Sequence, residues 1–423
     1  MTTTAHQPAS APVDDTPPVL PLGASRLLAG VRPDRPISHA EHRRLAGPLV
    51  HRTHAWLVDA SHRAGLLGRG GAAFPVATKL AAIATADRPE VVVNGTESEP
   101  ASWKDRLLMR RAPHRVLDGA LVVAAAHQAR SVTIAVHDRG SASALLAAAR
   151  ERGDAAAISV VLTGGGFVSG EAAALISGLE GRPAVPPGRR VLPTVQGLGR
   201  RPTFVSNVET FAQLGLLATL GLGEFASVGG PTEAGTSLVT LLGDPPRRGV
   251  AEVVNGTPLS ALIGPVGARP VLVGGYHGTW LGPADPLGLG PGLDRAALRA
   301  AGVHWGAGVL AVLPGDTCAL GEVARVAAWL ASESAGQCGP CTFGLASVAH
   351  DLTALHAGRP VDPADLRRRL GLVDGRGACA HPDGVVRFVA SALAVMPDEV
   401  DAHLRGGCGR PLRGCLPVPG SAA

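Results

Sequence analysis

Between residues 50 and 225, short β-branched apolar runs alternate with longer stretches rich in alanine and leucine. The runs are EVVVNG (90–95), SVTIAVHD (131–138) and ISVVLTGGG (158–166). The stretches 103–128 and 141–152 have the composition of helices, and Pro113 is expected to divide the first of them. Runs that are apolar throughout are typical of strands buried on both faces. The pattern therefore predicts an α/β fold whose parallel sheet is covered by helices on both faces.

The pattern changes outside this region. Residues 1–45 are rich in proline, alanine and threonine and lack a sustained period, which predicts a disordered leader. Residues 236–285 predict a small β-rich module of two hairpin strands, a short helix and a further strand. After a Gly/Pro-rich connection at 281–300, apolar positions at helical spacing predict a helical domain over 300–405. Residues 406–423 are expected to form a tail.

Length and composition agree with a soluble, multidomain protein. At 423 residues the chain is long enough for two or three domains of roughly 100–200 residues each. The composition is 46% hydrophobic and 17% charged, and no apolar run approaches the roughly 18–20 residues of a membrane-spanning helix. The N-terminus lacks a basic start followed by an apolar segment, so we expect no secretory signal. The sequence predicts a cytoplasmic protein without direct membrane insertion.

The charge pattern argues against a nucleic-acid-binding protein. The net charge of +5 comes from arginines in scattered pairs such as Arg189-Arg190, Arg200-Arg201 and Arg247-Arg248. Only 3% of residues are aromatic, whereas nucleic-acid binding needs a basic stripe or stacking platforms. The six cysteines of a long chain in a reducing compartment indicate metal or redox chemistry where they cluster.

A first candidate motif is GLLGRGGAAFPVATK, residues 65–79. Closely spaced glycines let backbone N–H groups approach an anionic or planar ligand, and a following helix adds its positive end. A surface turn is the alternative interpretation of the same glycines. The motif contains Lys79, which with Lys104 makes up all the lysine of the chain. Arginine is used everywhere else, so the two ammonium groups suggest a specific need.

The second motif, VVVNGTESEPASWKDRLLM (91–109), is an apolar strand that ends in Asn94 and is followed by Glu97 and Glu99. Side chains just past the carboxyl end of a parallel strand lie where open α/β sheets bind ligands. A solvated acidic loop is the alternative. The motif includes Lys104.

Two further motifs follow. TGGGFVSGEAAALISGLEG (163–181) reads as a strand, a glycine loop and a helix that opens near Gly170 and Glu171, which makes it another candidate anion site. In PTFVSNVETFAQL, Ser206 or Asn207 is expected to cap a helix. A helix cap and a ligand contact are the two alternative interpretations of this segment.

Together, in order and spacing, these motifs resemble the flavin- and NADH-binding subunit (51 kDa type) of respiratory complex I and its relatives in NAD-linked hydrogenases and formate dehydrogenases. The resemblance covers residues 50–405, and the second motif is also similar to a subunit of the ion-pumping ferredoxin:NAD oxidoreductase. It implies a Rossmann-like FMN- and NADH-binding domain over 50–225, a ubiquitin-like (β-grasp, SLBB) module over 236–285 and an iron–sulfur-binding helical domain over 300–405.

The resemblance also implies site residues. The FMN is expected to be cradled on one side by Gly68, Arg69, Gly70, Gly71 and Lys79. Its ring and ribityl chain would be lined by Asn94, Glu97 and Ser98. The pocket would be completed by Phe167, Gly170, Glu171, Ser206, Asn207 and Thr210. Glu97 is the expected catalytic residue, and Phe74 and Glu99 are expected to contact NADH.

The sequence departs from the family pattern at several of these positions. Thr96 replaces an aspartate, Ala172 replaces an acid, and Leu192 replaces an aromatic residue that helps stack the dinucleotide. A second aromatic position falls in the alanine-rich KLAAIA. Loss of ring stacking, worth about 0.5–1.5 kcal/mol per pair, weakens adenine binding. FMN is therefore better supported than NADH.

The stretch SESAGQCGPCTFGL contains Cys338 and Cys341 in the Cys-x-x-Cys arrangement of a thioredoxin dithiol. In thioredoxins a buried strand precedes the first cysteine, whereas residues 319–331 predict a helix. The resemblance implies instead that these cysteines and Cys379 hold an iron–sulfur cluster. Ala335 occupies the position of the first cysteine of the family's Cys-x-x-Cys-x-x-Cys motif.

Three thiolates leave the cluster incomplete, since four are the usual set for [4Fe–4S]. The fourth ligand could come from His381, Cys408, Cys415 or water; alternatively the site holds a three-iron cluster, or it is a relic. A zinc site is a further alternative, because Cys-x-x-Cys spacing also fits zinc. Cys318, further upstream, is expected to be a buried core thiol.

The sequence thus predicts a flavoprotein electron-transfer subunit of NADH dehydrogenase type. FMN would accept electrons from NADH and pass them through the cluster to a ferredoxin-like or other redox partner subunit, at the periphery of a membrane complex if one is present. Two alternatives remain: an FMN protein that exchanges electrons with ferredoxin without NADH, and a non-catalytic assembly module of the same fold.

Overall fold

The computed structural model describes residues 16–23, 25–188, 191–245, 248–282 and 292–420. The strands are β1 Val19–Leu20, β2 Glu90–Gly95, β3 Ser131–Val136, β4 Ile158–Leu162, β5 Thr203–Asn207, β6 Thr236–Gly243, β7 Gly249–Val254, β8 Val271–Val273, β9 Thr279–Leu281 and β10 Val309–Val312. The helices up to β5 are α1 His39–Ala46, α2 His54–Arg63, α3 Val76–Ala82, α4 Lys104–Arg111, α5 Pro113–His127, α6 Arg139–Arg150 and α7 Ala172–Leu179. The later helices are α8 Val208–Phe225, α9 Leu259–Ile263, α10 Arg295–Ala300, α11 Ala319–Ser332, α12 Ala346–His356, α13 Pro363–Val373, α14 His381–Val395 and α15 Pro397–Leu404.

A four-stranded parallel sheet in the order β4-β3-β2-β5 forms the centre of the N-terminal half. Helices α5 and α8 pack on one face of it, and α7 covers the other through Leu175 and Ile176, which contact Val92 and Val205. The predicted α/β fold with a doubly covered parallel sheet is confirmed. Pro113 begins α5 after a break, as expected from its missing N–H.

The strand order explains where the site forms. β2 lies between β3 and β5, and Asn94 at the end of β2 is in register with Asn207 at the end of β5. Because parallel strands end at the same edge of a sheet, the loops that follow β2 and β5 meet there. The short strand β5 was not predicted, since only five residues separate Pro202 from the start of α8.

The second sheet has six strands in the order β1-β7-β6-β10-β8-β9. The hairpin of β6 and β7, the short helix α9 and strand β8 agree with the β-rich module predicted over 236–285. The module is larger than predicted, because β10 pairs with β6 in parallel from outside that range, and β1 pairs with β7. Residues 283–291 of the predicted connection lie outside the described residues.

The N-terminal segment is ordered where the structure describes it. The expectation of a disordered leader over 1–45 does not hold for residues 16–23 and 25–45, whereas residues 1–15 and 24 lie outside the described ranges. The buried carboxylate of Glu252 on β7 accepts the backbone N–H groups of Arg26, Leu27 and Leu28 at 2.7–2.9 Å. Ser38 and Glu41 form a capping box that starts α1. These long-range bonds are invisible to local periodicity.

Helices α11 to α15 form the C-terminal domain, which packs against β9 through α14. The predicted helical region 300–405 begins instead with β10, and its helices start at Ala319. Between α11 and α12, residues Pro340–Leu345 form a π-helix, a feature found often at functional sites. Among the described residues, no helix is both long and apolar enough to cross a bilayer.

Candidate active site

A cavity of about 630 Å³ opens at the carboxyl edge of the parallel sheet; we call it the glycine-loop cavity. The residues of the predicted site that line it are Gly68, Gly70, Gly71, Ser98, Glu99, Phe167, Gly170, Glu171 and Cys379. The cavity therefore combines residues of three predicted motifs with one of the predicted cluster cysteines. It is also lined by residues from the β-rich module, among them Gly274 and Trp305.

The glycine loop presents unpaired backbone donors to this cavity. The loop is closed by Gly68 N–H, which donates to the carbonyl of Phe74 at 2.9 Å, and by Arg69 N–H, which donates to the hydroxyl of Thr210 at 2.9 Å. Within the described residues, the N–H groups of Gly70, Gly71 and Ala72 make no hydrogen bond. Exposed donors of this kind suit a phosphate or a flavin carbonyl.

The side chain of Arg69 does not line the cavity. Its guanidinium is buried, bonds to the carboxylate of Glu233, and lies 3.7 Å from that of Glu209. Arg295 bonds to Glu233 from the other side, and Lys104 lies 3.0 Å from Glu209. This network joins the glycine loop to both sheets. The resemblance implied that Arg69 helps to cradle FMN; the direction of its side chain leaves only its backbone for such a contact, and the role stays a prediction.

Asn94 and Gly170 fix the loop that follows β2. The side-chain amide of Asn94 donates to the carbonyl of Gly170 at 2.8 Å, and its Oδ1 accepts the hydroxyl of Thr96 at 2.8 Å. A Cβ on Gly170 would lie 2.6 Å from Oγ of Ser98, so a larger residue here would force Ser98 to move. Asn94 does not itself line the cavity; it positions Gly170 and Ser98, which do.

Asn207 and Thr210 lie behind the glycine loop. Oδ1 of Asn207 accepts N–H and Oγ–H of Thr210, so Asn207 caps α8, as one interpretation of the sequence predicted. Its Nδ2 donates to Asp105 at 3.0 Å. Ser206 is buried in β5. Ser206, Asn207 and Thr210 do not line the cavity. Burial is the main cause that raises the pKa of Asp105, to about 6.

Lys79 and Phe74 are adjacent but lie outside the cavity lining. Nζ of Lys79 donates to the carbonyl of Val205 at 3.2 Å and lies 5.8 Å from the centroid of the Phe74 ring. Burial lowers the pKa of Lys79. Phe74 is 42% exposed. Their predicted contacts with FMN and NADH stay predictions.

Glu97 is enclosed in a different environment. Its carboxylate accepts hydrogen bonds from Ser102 Oγ at 2.7 Å, from the N–H of Asp105, and from the N–H and Nε of Arg106. Burial alone would raise the pKa of Glu97, but the charges of Arg106 and Lys104 outweigh it and the pKa falls. Glu97 lines a second cavity of about 1030 Å³, which the C-terminal residues 412–415 and 417–419 also line; we call it the tail cavity.

Glu99 lines the glycine-loop cavity, and its pKa is raised whereas that of Glu97 is lowered. Burial raises its pKa to about 7, against the lowering effect of the N–H groups of Tyr276 and Ala101, which donate to its carboxylate at 2.8 and 3.2 Å. The nearby charge of Glu97 adds to the rise. A carboxyl group that changes charge near neutral pH is therefore present in the cavity wall.

Phe167 is shared by the two cavities and packs against the helical domain. It lines both cavities, and its ring centroid lies 4.7 Å from that of His277 and 5.6 Å from that of His381. Glu171, at the start of α7, accepts two backbone N–H groups of that helix and also lines the glycine-loop cavity. Ala172 begins α7, so the family's second acid at this place is absent.

The three predicted cluster cysteines are free thiols that influence one another. Although burial opposes it, the backbone N–H groups of Ala378 and Cys341 and the Cys341 thiol lower the pKa of Cys338. Burial raises the pKa of Cys341 to about 11, and the charges of Cys338 and Cys379 add to this. Cys341 lies in the π-helix, and Cys379 lies two residues before α14. The donor set is three thiols, with Ala335 at the fourth position.

The alternative fourth ligands are engaged elsewhere. Nε2 of His381 donates to the carbonyl of Leu330 at 2.9 Å, and its Nδ1 shares a hydrogen bond of 3.1 Å with His277. Cys408 lies beside Cys318, and Cys415 bonds through its N–H to Glu322, so both lie near the beginning of α11. The cluster cysteines follow the other end of α11. The proposals for Cys408 and Cys415 as ligands are not supported by this placement.

Several cavity residues were missed from the sequence. Arg299 and Arg387 add positive charge to the lining, and His277 contacts Phe167. Arg299 follows Arg295 by one helical turn in DRAALRA, a pattern that marks only a helix face. Arg387 is an ordinary helix residue whose guanidinium donates to the carbonyl of His277 at 2.7 Å. No local sequence pattern distinguishes these arginines from the others.

A glycine loop with unpaired donors, in a cavity that Cys379 also lines, indicates a flavin- and iron–sulfur-binding electron-transfer protein. Residues 61–215 match the family described as the Nuo51 FMN-binding domain, and residues 321–403 match the iron–sulfur binding region of NADH-ubiquinone oxidoreductase-F. The F subunit of the NADH-quinone oxidoreductase of Mycobacterium tuberculosis (strain ATCC 25618 / H37Rv) is 32% identical over 373 residues, which are 81% of this chain and 83% of that protein. The chain belongs to the family of these NADH-quinone oxidoreductase F subunits.

More distant relatives agree. The mitochondrial NADH dehydrogenase [ubiquinone] flavoprotein 1 of Dictyostelium discoideum is 27% identical over 83% of this chain and 79% of its own length. A chain in the crystal structure of NAD+-reducing [NiFe]-hydrogenase in the H2-reduced state superposes with a TM-score of 0.79 at 27% identity, covering 92% of this chain and 68% of that one. The predicted family, fold, FMN-binding domain, iron–sulfur-binding region and class of NADH dehydrogenase-type oxidoreductase are confirmed.

Proposed function

We propose that this chain binds FMN in the glycine-loop cavity, takes electrons from NADH and passes them to an iron–sulfur cluster held by Cys338, Cys341 and Cys379. The observation that carries the proposal is that Cys379 lines the same cavity as the glycine loop. When bound, FMN accepts a hydride and releases its electrons singly. A cluster ligand in the cavity wall keeps the path for these electrons short.

Within this proposal, some residues would contact the FMN directly and others would hold those residues in position. The N–H groups of Gly70, Gly71 and Ala72 would bind anionic or carbonyl oxygens of the cofactor, and Ser98 and Phe167 would contact it from the opposite wall. Supporting positions would be held by Arg69, Lys79, Asn94, Ser206, Asn207 and Thr210. Arg299 and Arg387 would neutralise phosphate charge, since guanidinium groups suit phosphate well. Glu99, whose pKa is raised to about 7, would exchange a proton near the reacting ring.

The role of Glu97 follows from its surroundings. Its carboxylate accepts four hydrogen bonds, and against the effect of burial the charges of Arg106 and Lys104 lower its pKa, which favours the ionised form over a role as proton donor. We propose that it fixes the loop that carries Ser98 and Glu99, and that it contributes negative charge near the cofactor.

NADH is the proposed donor because the relatives are named as NADH oxidoreductases. The donor site departs from the family at Leu192, which is 60% exposed. This departure favours one alternative, an FMN protein that exchanges electrons with ferredoxin without NADH. The test must therefore separate flavin binding from reduction by NADH.

The electrons would leave towards a redox partner subunit at the face that carries the π-helix. Phe343 in the π-helix is 75% exposed, two residues from the buried Cys341. An exposed aromatic side chain beside a redox centre is a favourable contact for a partner. We place the chain in the cytoplasm, as a peripheral subunit of a larger complex.

Anaerobically purified full-length protein tests the proposal. We expect about one FMN per chain, iron with acid-labile sulfide, and bleaching of the flavin absorption on addition of NADH, as for a cofactor that carries the hydride chemistry. Flavin and iron without bleaching by NADH, but with bleaching by reduced ferredoxin, would favour the alternative donor. A folded protein without flavin after incubation with excess FMN would exclude both and leave the assembly module.

A further inference from the structure

Four metal-ligand side chains converge at a place that the proposed electron-transfer site does not use. They are Cys318, Glu399, His403 and Cys408, and their ligand atoms all lie within 4.8 Å of one another. The first three are buried and Cys408 is half-buried. Among the described residues, this is the one group of three or more such side chains whose ligand atoms lie so close. We propose that these residues form a structural zinc site that fixes the C-terminal segment, residues 408–420.

The interatomic distances fit a tetrahedral ion. Sγ of Cys318 lies 3.2 Å from Nε2 of His403, and that Nε2 lies 3.8 Å from Oε1 of Glu399. Zinc bonds of about 2.0–2.3 Å at tetrahedral angles separate neighbouring ligand atoms by roughly 3.4–3.8 Å. The side chains are thus close to the required positions without movement of the backbone.

The ligand set indicates zinc and a structural role. Two thiolates and an imidazole are ligands that zinc prefers, and a fourth protein ligand closes the site to substrate. Glu399 supplies that ligand, because its Oε1 is buried without a hydrogen-bond partner among the described residues while its Oε2 bonds to Arg410. The two thiolates and the carboxylate exceed the charge of a divalent ion by one, and the Arg410 guanidinium balances the difference. His356, whose Nδ1 lies 3.5 Å from Sγ of Cys318, packs beside the set.

The folding of three separate segments creates this site. Cys318 is the N-cap of α11, and its sulfur accepts the N–H of Gly321 at 3.2 Å. Glu399 and His403 are one helical turn apart on α15, so they share a face. Gly406 and Gly407, with φ of 113° and 136°, then turn the chain so that Cys408 returns to the cluster. A metal here joins the start of α11 to the end of α15.

The proposed zinc site is separate from the iron–sulfur site. The 14 residues of α11, at about 1.5 Å each, span roughly 20 Å between Cys318 and the segment that leads to Cys338. Loss of one metal therefore need not affect the other. This separation makes the two sites distinguishable by metal analysis of single variants.

The C-terminal segment continues from this site along the tail cavity. Cys318 N–H donates to the carbonyl of Pro411 at 2.8 Å, Cys415 N–H donates to Glu322 at 2.8 Å, and Tyr276 Oη donates to the carbonyl of Pro417. Without regular structure of its own, the segment depends on these contacts. The metal fixes its beginning, and with it the wall that the segment contributes to the tail cavity.

Metal analysis of anaerobically purified full-length protein tests the proposal. We expect about one zinc per chain in wild type, as for a closed structural site. Cys408→Ser and His403→Gln should each reduce zinc at least fivefold and leave iron unchanged. Cys338→Ser should reduce iron and leave zinc unchanged. Cys415→Ser, a cysteine of the same segment outside the ligand set, should retain both metals.

Other outcomes would overturn the proposal. These are wild-type protein without zinc after incubation with Zn²⁺ under reducing conditions, zinc that persists in both Cys408→Ser and His403→Gln, or a Cys318–Cys408 disulfide in anaerobic protein by mass spectrometry. If the variants do not fold, cobalt replaces zinc in the wild-type protein with its iron intact. Visible absorption of tetrahedral, thiolate-bound cobalt supports the site, and its absence at saturating cobalt contradicts it.

Discussion

The carboxylate of Glu99 accepts a hydrogen bond of 2.8 Å from the backbone N–H of Tyr276, which joins the loop after β2 to the six-stranded sheet. Gly275 allows this approach, since a Cβ there would lie 2.6 Å from Oε2 of Glu99. The contact places a buried carboxyl group in the wall of the glycine-loop cavity. Because burial raises its pKa to about 7 from 4.5, the charge of this wall depends on pH in the physiological range.

Glu99→Gln should change how stability depends on pH. A raised folded-state pKa contributes stability that is fully present below the unfolded pKa and is lost as pH rises through the folded pKa. The contribution of Glu99 to the stability of wild type should therefore fall between pH 4.5 and about 7, by roughly 3 kcal/mol at most. Glu99→Gln should lose less across this window in thermal melts. Glu224→Gln, at a 64% exposed side chain, should follow wild type, and an equal slope in all three proteins would contradict the assignment.

Gly170→Ala should weaken FMN binding. Its Cβ would lie 2.6 Å from Oγ of Ser98 and 3.0 Å from Oγ1 of Thr96, so Ser98 must move away from the cavity wall. We expect the dissociation constant to rise at least about tenfold, which corresponds to ~1.4 kcal/mol. Fluorescence titration with FMN measures it. Gly164→Ala, which places a Cβ in open space, is the matched control. Equal affinity in both variants would argue against the proposed pocket.

Ala335→Cys should complete the ligand set of the cluster. A fourth thiolate binds iron more strongly than a non-thiolate ligand, so the cluster should become more stable in air. Decay of the cluster absorption after exposure to oxygen should slow several-fold, and Cys379→Ser should remove the iron. Ser143→Cys, an added thiol on the exposed face of α6, should not slow the decay. Protein without iron in both wild type and Ala335→Cys would mean that the site is a relic.

Phe343→Ala should slow electron transfer to the partner but not reduction of the flavin. The side chain is 75% exposed on the π-helix beside Cys341 and makes no part of the cavity lining. Steady-state transfer to the redox partner should fall about fivefold, whereas stopped-flow bleaching by NADH should be unchanged, as for the loss of one favourable interface contact. Leu146→Ala, at an exposed leucine on α6, is the control for lost apolar surface. A loss of flavin reduction in Phe343→Ala would contradict the assignment.

Glu252→Gln should release the N-terminal segment. The carboxylate accepts three backbone N–H groups and the hydroxyl of Thr236, and an amide in its place would direct its own N–H groups at those donors. We expect a loss of roughly 2–4 kcal/mol in the free energy of unfolding, as for a buried network left unsatisfied. Limited proteolysis should cut the segment first. Asp34→Asn, at an exposed ion pair in the same segment, should leave the stability close to that of wild type.

Local periodicity was sufficient for the elements that have a strong pattern of their own. β2, β3 and β4 are rich in β-branched apolar residues, and α11 and α14 have apolar positions at helical spacing, so all were predicted. β5 and β10 were missed because each is short and is defined by its neighbours, β2 and β6, far away in the sequence. The N-terminal segment was misread for the same reason, since Glu252 orders it across more than 200 residues.

The sequence motifs identified residues that line the cavity, but they did not show which side chains face it and which are buried behind it. Gly70, Gly71 and Ser98 line the cavity, whereas the Arg69 side chain is turned into a buried ion network that no motif encodes. The cluster of Cys318 and Cys408 combines segments 90 residues apart. In the sequence, this proposed zinc site is indicated only by the spacing of Glu399 and His403, which lie one turn apart on the same face of a helix.

Strand β1 is only two residues long, yet it occupies the outer edge of β7. A chain shortened past Leu20 would leave the N–H and C=O groups of β7 unpaired, next to the buried apolar side chains of Val250 and Val253. An uncovered apolar edge of this kind is a template for pairing with another chain. We therefore expect such a shortened chain to self-associate, with light scattering that grows with concentration, while the full chain stays dispersed.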